Sequence, residues 1–159
     1  MLFLFCLCAP ASLLCQEKKI YHPDADAEAD IRNAVDKAAS EGKHVLVQAG
    51  GNWCGWCIEF ARFCKSDTAI SALLNKDFIW YHLNYSKENM NEKIFARYGY
   101  PQRFGFPVFI ILDGKGNRLH IQNSEYLEDG KKSYDSKKVL SFLSMWTPQA
   151  LDPSSYRNE

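Results

Sequence analysis

Apolar positions in this chain alternate between helical and strand periods. Residues 26–41 repeat at helical spacing. Ile31, Ala34, Val35, Ala38 and Ala39 share one stripe, and acidic residues crowd the first half, where the positive end of a helix dipole favours them. Gly42 supplies the stop. The continuous apolar run of residues 44–49 reads as a buried central strand. A turn at 50–52 leads to residues 58–64, which lack Gly and Pro and predict a helix with Cys57, Phe60, Ala61 and Cys64 on one face.

Residues 68–75 predict a further helix, capped by Ser66 or Asp67. Residues 77–85 predict the second core strand, and residues 87–98 a helix with Met90, Ile94, Phe95 and Tyr98 on one side. An aromatic and basic loop spans 100–105. The apolar strand 106–112 is opened by Pro107, which cannot donate to a ladder and so belongs at a strand's first residue or edge. Asp113-Gly114-Lys115-Gly116-Asn117 reads as a hairpin turn into a strand at 118–121. A polar loop at 123–132 leads to a closing helix at 135–146, with Val139, Leu140, Phe142, Leu143 and Trp146 on its apolar face; Pro148 follows, then a frayed tail. Alternating helices and strands predict an α/β fold, a central sheet with helices on both faces. The hairpin makes that sheet mixed rather than wholly parallel.

Composition adds limits. At 159 residues the chain suits one domain, and its formal net charge of zero lacks the basic stripe of a nucleic-acid binder. The organisation expected is a signal peptide at 1–15, a loose polar arm at 16–25, the folded domain at 26–148 and a flexible tail at 149–159. Met1 to Cys15 is apolar apart from Ser12 and the thiols, too short for a membrane-spanning helix (about 20 residues), and fits the apolar region of a secretory signal, although no Lys or Arg precedes it. Cleavage would follow Cys15; the alternative is a lipoprotein with Cys15 lipidated, against which the bulky Leu14 counts. The expected location is outside the cytoplasm, periplasmic or extracellular.

The six cysteines fall into two groups, Cys6, Cys8 and Cys15 in the apolar leader and Cys54, Cys57 and Cys64 in the body. An odd number in the body does not suit a stapled framework. One redox pair plus one spare thiol is the simpler account, with Cys64 a small buried residue. Cys54 and Cys57 stand where a strand gives way to a helix, a redox-site pattern. Unpaired N–H groups and the dipole at a helix start stabilise a thiolate, lowering a thiol pKa from about 8.5 towards roughly 3.5–7.5.

The run Trp53-Cys54-Gly55-Trp56-Cys57 resembles the active site of the thioredoxin family, tryptophan-cysteine-glycine-proline-cysteine, with Trp56 in place of proline. The nearest resemblance is to exported bacterial thioredoxin-like proteins, in which a glycine-rich turn leads into the motif. It implies the thioredoxin fold and thiol–disulfide exchange, with Cys54 as nucleophile and Cys57 as resolving thiol. It also implies a cis Pro107 beside the pair and a substrate peptide held in extended form by the backbone of Phe106. Trp53 and Trp56 would offer apolar contacts to substrate. Trp56 adds an N–H that proline lacks.

A further departure is Gln48, which stands where thioredoxins carry a buried aspartate; an amide cannot act as a general base. His82 aligns with a nearby family lysine and reads as a packing or surface residue. The resemblance implies no organic cofactor and no metal. Expected partners are protein or peptide thiols and disulfides, together with a membrane electron donor, for a monomeric protein that reduces in preference to oxidising. Two alternatives belong to other classes. One is a non-catalytic binding module presenting Trp53, Trp56, Tyr100 and Phe104. The other is a soft-metal protein using Cys54 and Cys57 with His82.

Overall fold

The computed structural model describes residues 19–157. The proposed signal segment and the lipidation site at Cys15 lie outside these residues. Helix α1 (Ala27–Glu41) begins where Asp26 accepts the Ala29 N–H and ends at Gly42, whose φ of 65° is the left-handed conformation that a residue without Cβ adopts at little cost. Strand β1 (His44–Gly50) is buried at every position. Next come α2 (Gly55–Ser66), α3 (Thr68–Asp77) and β2 (Phe78–Asn84). Asp67 both ends α2 and caps α3, accepting the Ala69 and Ile70 N–H groups at 3.0 and 3.1 Å. The short helix α4 (Glu92–Arg97), strands β3 (Val108–Leu112) and β4 (Arg118–Asn123), and α5 (Ser136–Met145), capped by Asp135, complete the set.

The sheet has the order β2-β1-β3-β4. β1 runs parallel to β2 and antiparallel to β3, and β3 pairs antiparallel with β4. The mixed sheet follows from two connection types: α2 and α3 carry the chain across to a parallel neighbour, whereas the Asp113 turn returns it directly. Strand alternation divides the core in two. Val45, Val47, Ala49, Ile110 and Leu112 meet α1 and α4 through Ile31, Ala38 and Phe95. Leu46, Phe109 and Ile111 meet α2, α3 and α5 through Phe60, Ile70, Val139 and Leu143. Helices therefore cover both faces, as the periodicity predicts. Each fully buried Leu, Ile or Phe in these layers contributes about 1.5–3 kcal/mol.

One expectation is corrected. The helix predicted over residues 87–98 forms only at Glu92–Arg97. Asparagine side chains hold the preceding stretch in a loop: Asn84 Nδ2 donates to the Asn89 carbonyl at 2.9 Å, and Asn91 Nδ2 donates to the Asn84 carbonyl at 2.8 Å. Such local bonds compete with the helix ladder. Of the polar arm expected at 16–25, residues 19–25 are described, and Tyr21 there is fully buried. In the tail, Gln149–Leu151 and Pro153–Tyr156 form short 3-10 turns, with Ser155 Oγ donating to the Gln149 carbonyl at 3.0 Å. Among the described residues no helix is long and apolar enough to cross a membrane.

Candidate active site

The site lies where β1 ends and α2 begins. Gly50 and Gly51 are required there by crowding. A Cβ on Gly50 would sit 2.4 Å from Cys57 Sγ, and one on Gly51 would sit 2.3 Å from Trp53 Nε1 and 2.9 Å from the Tyr85 carbonyl oxygen. Cys54 is the N-cap of α2, with φ −97° and ψ 103°, and its Sγ accepts the Cys57 N–H at 3.2 Å. The pair is joined as a disulfide with Cα atoms 5.2 Å apart. Cys54 keeps 6% exposure and Cys57 none, so an approaching reagent meets Cys54 first.

Aromatic side chains frame this sulfur. Trp53 is 60% exposed, and its indole stands edge-on to Phe106 with centroids 5.6 Å apart. Trp56 is half-buried, edge-on to Tyr134 at 5.5 Å, and its carbonyl accepts the Tyr134 hydroxyl at 3.1 Å. Phe106 packs against the cluster of Tyr21, Cys54 and Cys57. The Phe106–Pro107 peptide bond is cis, and Pro107 is buried just before β3. Tyr100 and Phe104 project from the preceding loop, both exposed, with the Arg103 guanidinium 4.2 Å above the Phe104 ring.

Gln48 lies fully buried beneath the pair. Its Nε2 donates to Tyr21 Oη at 2.7 Å and to the Cys57 carbonyl at 2.8 Å, while its Oε1 has no partner. His82 neighbours it across the β1–β2 pairing. The His82 ring meets Tyr21 edge-on at 5.5 Å and Trp80 at 5.0 Å, and its Nε2 is buried without a partner. Burial pulls the His82 imidazole from 6.5 to about 4, with the charges of Lys65 and His22 acting in the same direction. His82 is thus a neutral packing group near pH 7.

Cys64 is buried two helical turns below Cys57 and is not bonded to another described cysteine. Burial, then the Asp67 charge, raises its thiol pKa well above the ordinary value. Among the described residues no group of three or more His, Cys, Asp or Glu side chains is placed to hold a metal ion. A soft metal at Cys54 and Cys57 would therefore lack a third such ligand from these residues.

Two residues of the site escaped sequence reasoning. Asn52 Oδ1 accepts the N–H groups of Ile20 and Tyr21 at 3.1 and 3.2 Å, and Asn52 Nδ2 donates to the Tyr21 carbonyl at 2.8 Å. Asn52 thereby ties the N-terminal segment to the turn before Trp53, and Tyr21 follows it inward. The one signal was a lone aromatic, Tyr21, within a polar stretch.

Solved structures share this fold. A disulphide isomerase from Xylella fastidiosa Temecula1 is similar at 21% identity and TM-score 0.68, over 78% of this chain and 93% of that one. The oxidised DsbD C-terminal domain of Neisseria meningitidis aligns at 15% identity and TM-score 0.55, over 75% of this chain and 95% of the domain. A thioredoxin from Thermus thermophilus aligns at 20% identity and TM-score 0.51, over 79% and 84% of the two chains. No curated protein sequence matches the chain. A family model described as thioredoxin-like matches residues 26–114, more than half of the sequence, and the chain belongs to the thioredoxin-like family.

Proposed function

We propose that this protein is a thiol–disulfide oxidoreductase acting on protein or peptide cysteines through Cys54 and Cys57. The observation that carries the reading is the cap geometry. Cys54 Sγ occupies the position from which an N-cap side chain accepts a helix N–H, 3.2 Å from that of Cys57, and it is the more exposed sulfur of the pair. A thiolate there is the stabilised and accessible nucleophile. It attacks a substrate disulfide; Cys57, one turn along, then attacks Cys54 Sγ and releases the substrate thiol. Trp53, Trp56 and Phe106 form the apolar surround against which substrate rests, and the chain before Pro107 holds it in extended form.

The reductive direction is favoured. A reductase outside the cytoplasm needs electrons, and a membrane-borne thiol donor fits that need. The similar solved proteins include a disulphide isomerase and a DsbD domain, which agrees with work on protein disulfides.

Equilibration with glutathione tests the reading. A potential near about −270 mV supports a reductase, and one near roughly −120 to −180 mV an oxidase or isomerase. Cys57→Ser should accumulate a Cys54–substrate mixed disulfide. A pair that never exchanges with glutathione sinks the proposal and leaves a binding module.

A further inference from the structure

Tyr21 places a phenol against the redox pair from outside the segment that builds it. It has no solvent exposure and packs with Cys54 and Cys57. A buried hydroxyl is costly unless it is hydrogen-bonded, so packing alone would be better served by phenylalanine. Gln48 Nε2 supplies one bond, donating to Tyr21 Oη at 2.7 Å. That bond uses a lone pair of the phenol oxygen and leaves its hydrogen for another acceptor. Cys57 belongs to the same buried cluster as Tyr21. A Cβ on Gly50 would be 2.9 Å from Tyr21 Oη and 2.4 Å from Cys57 Sγ, so both atoms border the same point.

The same amide nitrogen that holds the phenol also holds the Cys57 carbonyl, at 2.8 Å. Gln48 thus fixes Tyr21 and Cys57 relative to each other, and Asn52 fixes the backbone of Tyr21. The groups facing the phenol bring no charge near neutral pH. His82 is pulled to about 4 by burial, and burial holds the hydroxyls of Tyr21 and Tyr134 protonated.

We propose that Tyr21 is a positioning residue for the resolving cysteine, its hydroxyl donating a hydrogen bond to the Cys57 sulfur as that sulfur becomes a thiolate. This rests on the exchange reading above. In the step concerned, the Cys57 sulfur attacks Cys54 Sγ and the Cys54–Cys57 bond forms. The bond from Cys54 to the substrate sulfur breaks, and its electron pair leaves with that sulfur, which takes up the proton lost by Cys57. Tyr21 keeps its own proton throughout and stabilises the charge on Cys57 during the attack.

The test uses the reduced full chain with Cys6, Cys8 and Cys15 changed to serine, mixed with the chromogenic disulfide DTNB. Cys54 attack releases one nitrothiobenzoate, and resolution by Cys57 releases the second. Tyr21→Phe should leave the first phase unchanged, slow the second about tenfold at neutral pH, and move its pH midpoint up by about one pH unit. A second phase with the parent rate and midpoint overturns the proposal. So does equal slowing of both phases, the mark of a merely loosened site. Should Tyr21→Phe fail to fold, Asn52→Ala decides: slower resolution with an intact first phase supports the role, and unchanged resolution overturns it. A parent chain that releases no second nitrothiobenzoate removes the exchange reading itself, an outcome visible before any variant is made.

Discussion

The indole Nε1 of Trp53 donates to the Tyr85 carbonyl at 2.7 Å, although the rest of the ring is largely exposed. A side chain so open to water would ordinarily sample several rotamers. This bond, with the edge contact to Phe106, holds the ring over the loop that follows β2. Trp53, Tyr85 and Met90 line an apolar groove there.

Trp53→Phe keeps an aromatic face but loses the donor. The bond is worth about 1 kcal/mol, so KM for a protein disulfide should rise about fivefold with kcat nearly unchanged. Turnover of DTNB, too small to use the groove, should stay the same. Equal losses with both substrates would mean that the indole acts on the sulfur rather than on substrate placement.

His82 makes stability depend on pH. Its folded pKa of about 4 lies below the unfolded value of 6.5, so the unfolded chain binds the proton first as pH falls. The contribution is therefore fully present above pH 6.5 and is lost between 6.5 and 4. Its size is at most about 3 kcal/mol, reduced by solvent around a partly exposed ring. Urea unfolding of the oxidised protein at pH 7.5 and 4.5 should show this loss. In His82→Phe, which keeps a ring against Trp80, the difference between the two pH values should shrink. An unchanged difference would place the acid sensitivity on other groups.

Asp67 joins three helices. It closes α2, caps α3 and accepts a hydrogen bond from Ser136 Oγ at the start of α5. The Ser136 hydroxyl, then the Ile70 N–H, holds its carboxyl below the usual range. Asp67→Ala should cost about 1–2 kcal/mol, the loss typical of a strong cap. Because the folded pKa is the lower one, the contribution is present above about pH 4 and fades below it. The thermal midpoint of Asp67→Ala should thus approach that of the parent at pH 3. Asp67→Asn, which can still accept, should recover most of the loss at pH 7.

The layers of the fold were legible because their causes are local. A continuous apolar run marked β1 as buried on both faces, and the Asp113–Asn117 turn marked β3 and β4 as antiparallel neighbours. The helix over 87–98 was overdrawn because Met90, Ile94, Phe95 and Tyr98 keep helical spacing, whereas the competing bonds among Asn84, Asn89 and Asn91 leave no periodic trace. Tyr21 and Asn52 were invisible for another reason. Their contacts join positions about 30 residues apart, and nothing in a polar arm announces that one aromatic ring will turn inward. Cys57 is fully buried in a cluster with Tyr21, and Gln48 holds its carbonyl, contacts that spacing alone does not show.

Cys64 provides a last check on which thiols take part. It is buried against Phe60, Ile70 and Leu74 in the layer below the pair, and burial keeps it protonated. A thiol that neither reaches solvent nor ionises does not exchange. Alkylation of the reduced native protein, mapped by mass spectrometry, should label Cys54 and spare Cys64 until urea is added. Cys64→Ala should leave the potential of the Cys54–Cys57 pair unchanged, while lowering stability by about 1 kcal/mol through the small void left by the sulfur. Rapid labelling of Cys64 in the native state, or a potential that moves when it is removed, would instead make it a third member of the redox site, fed from Cys57 along the buried face of α2.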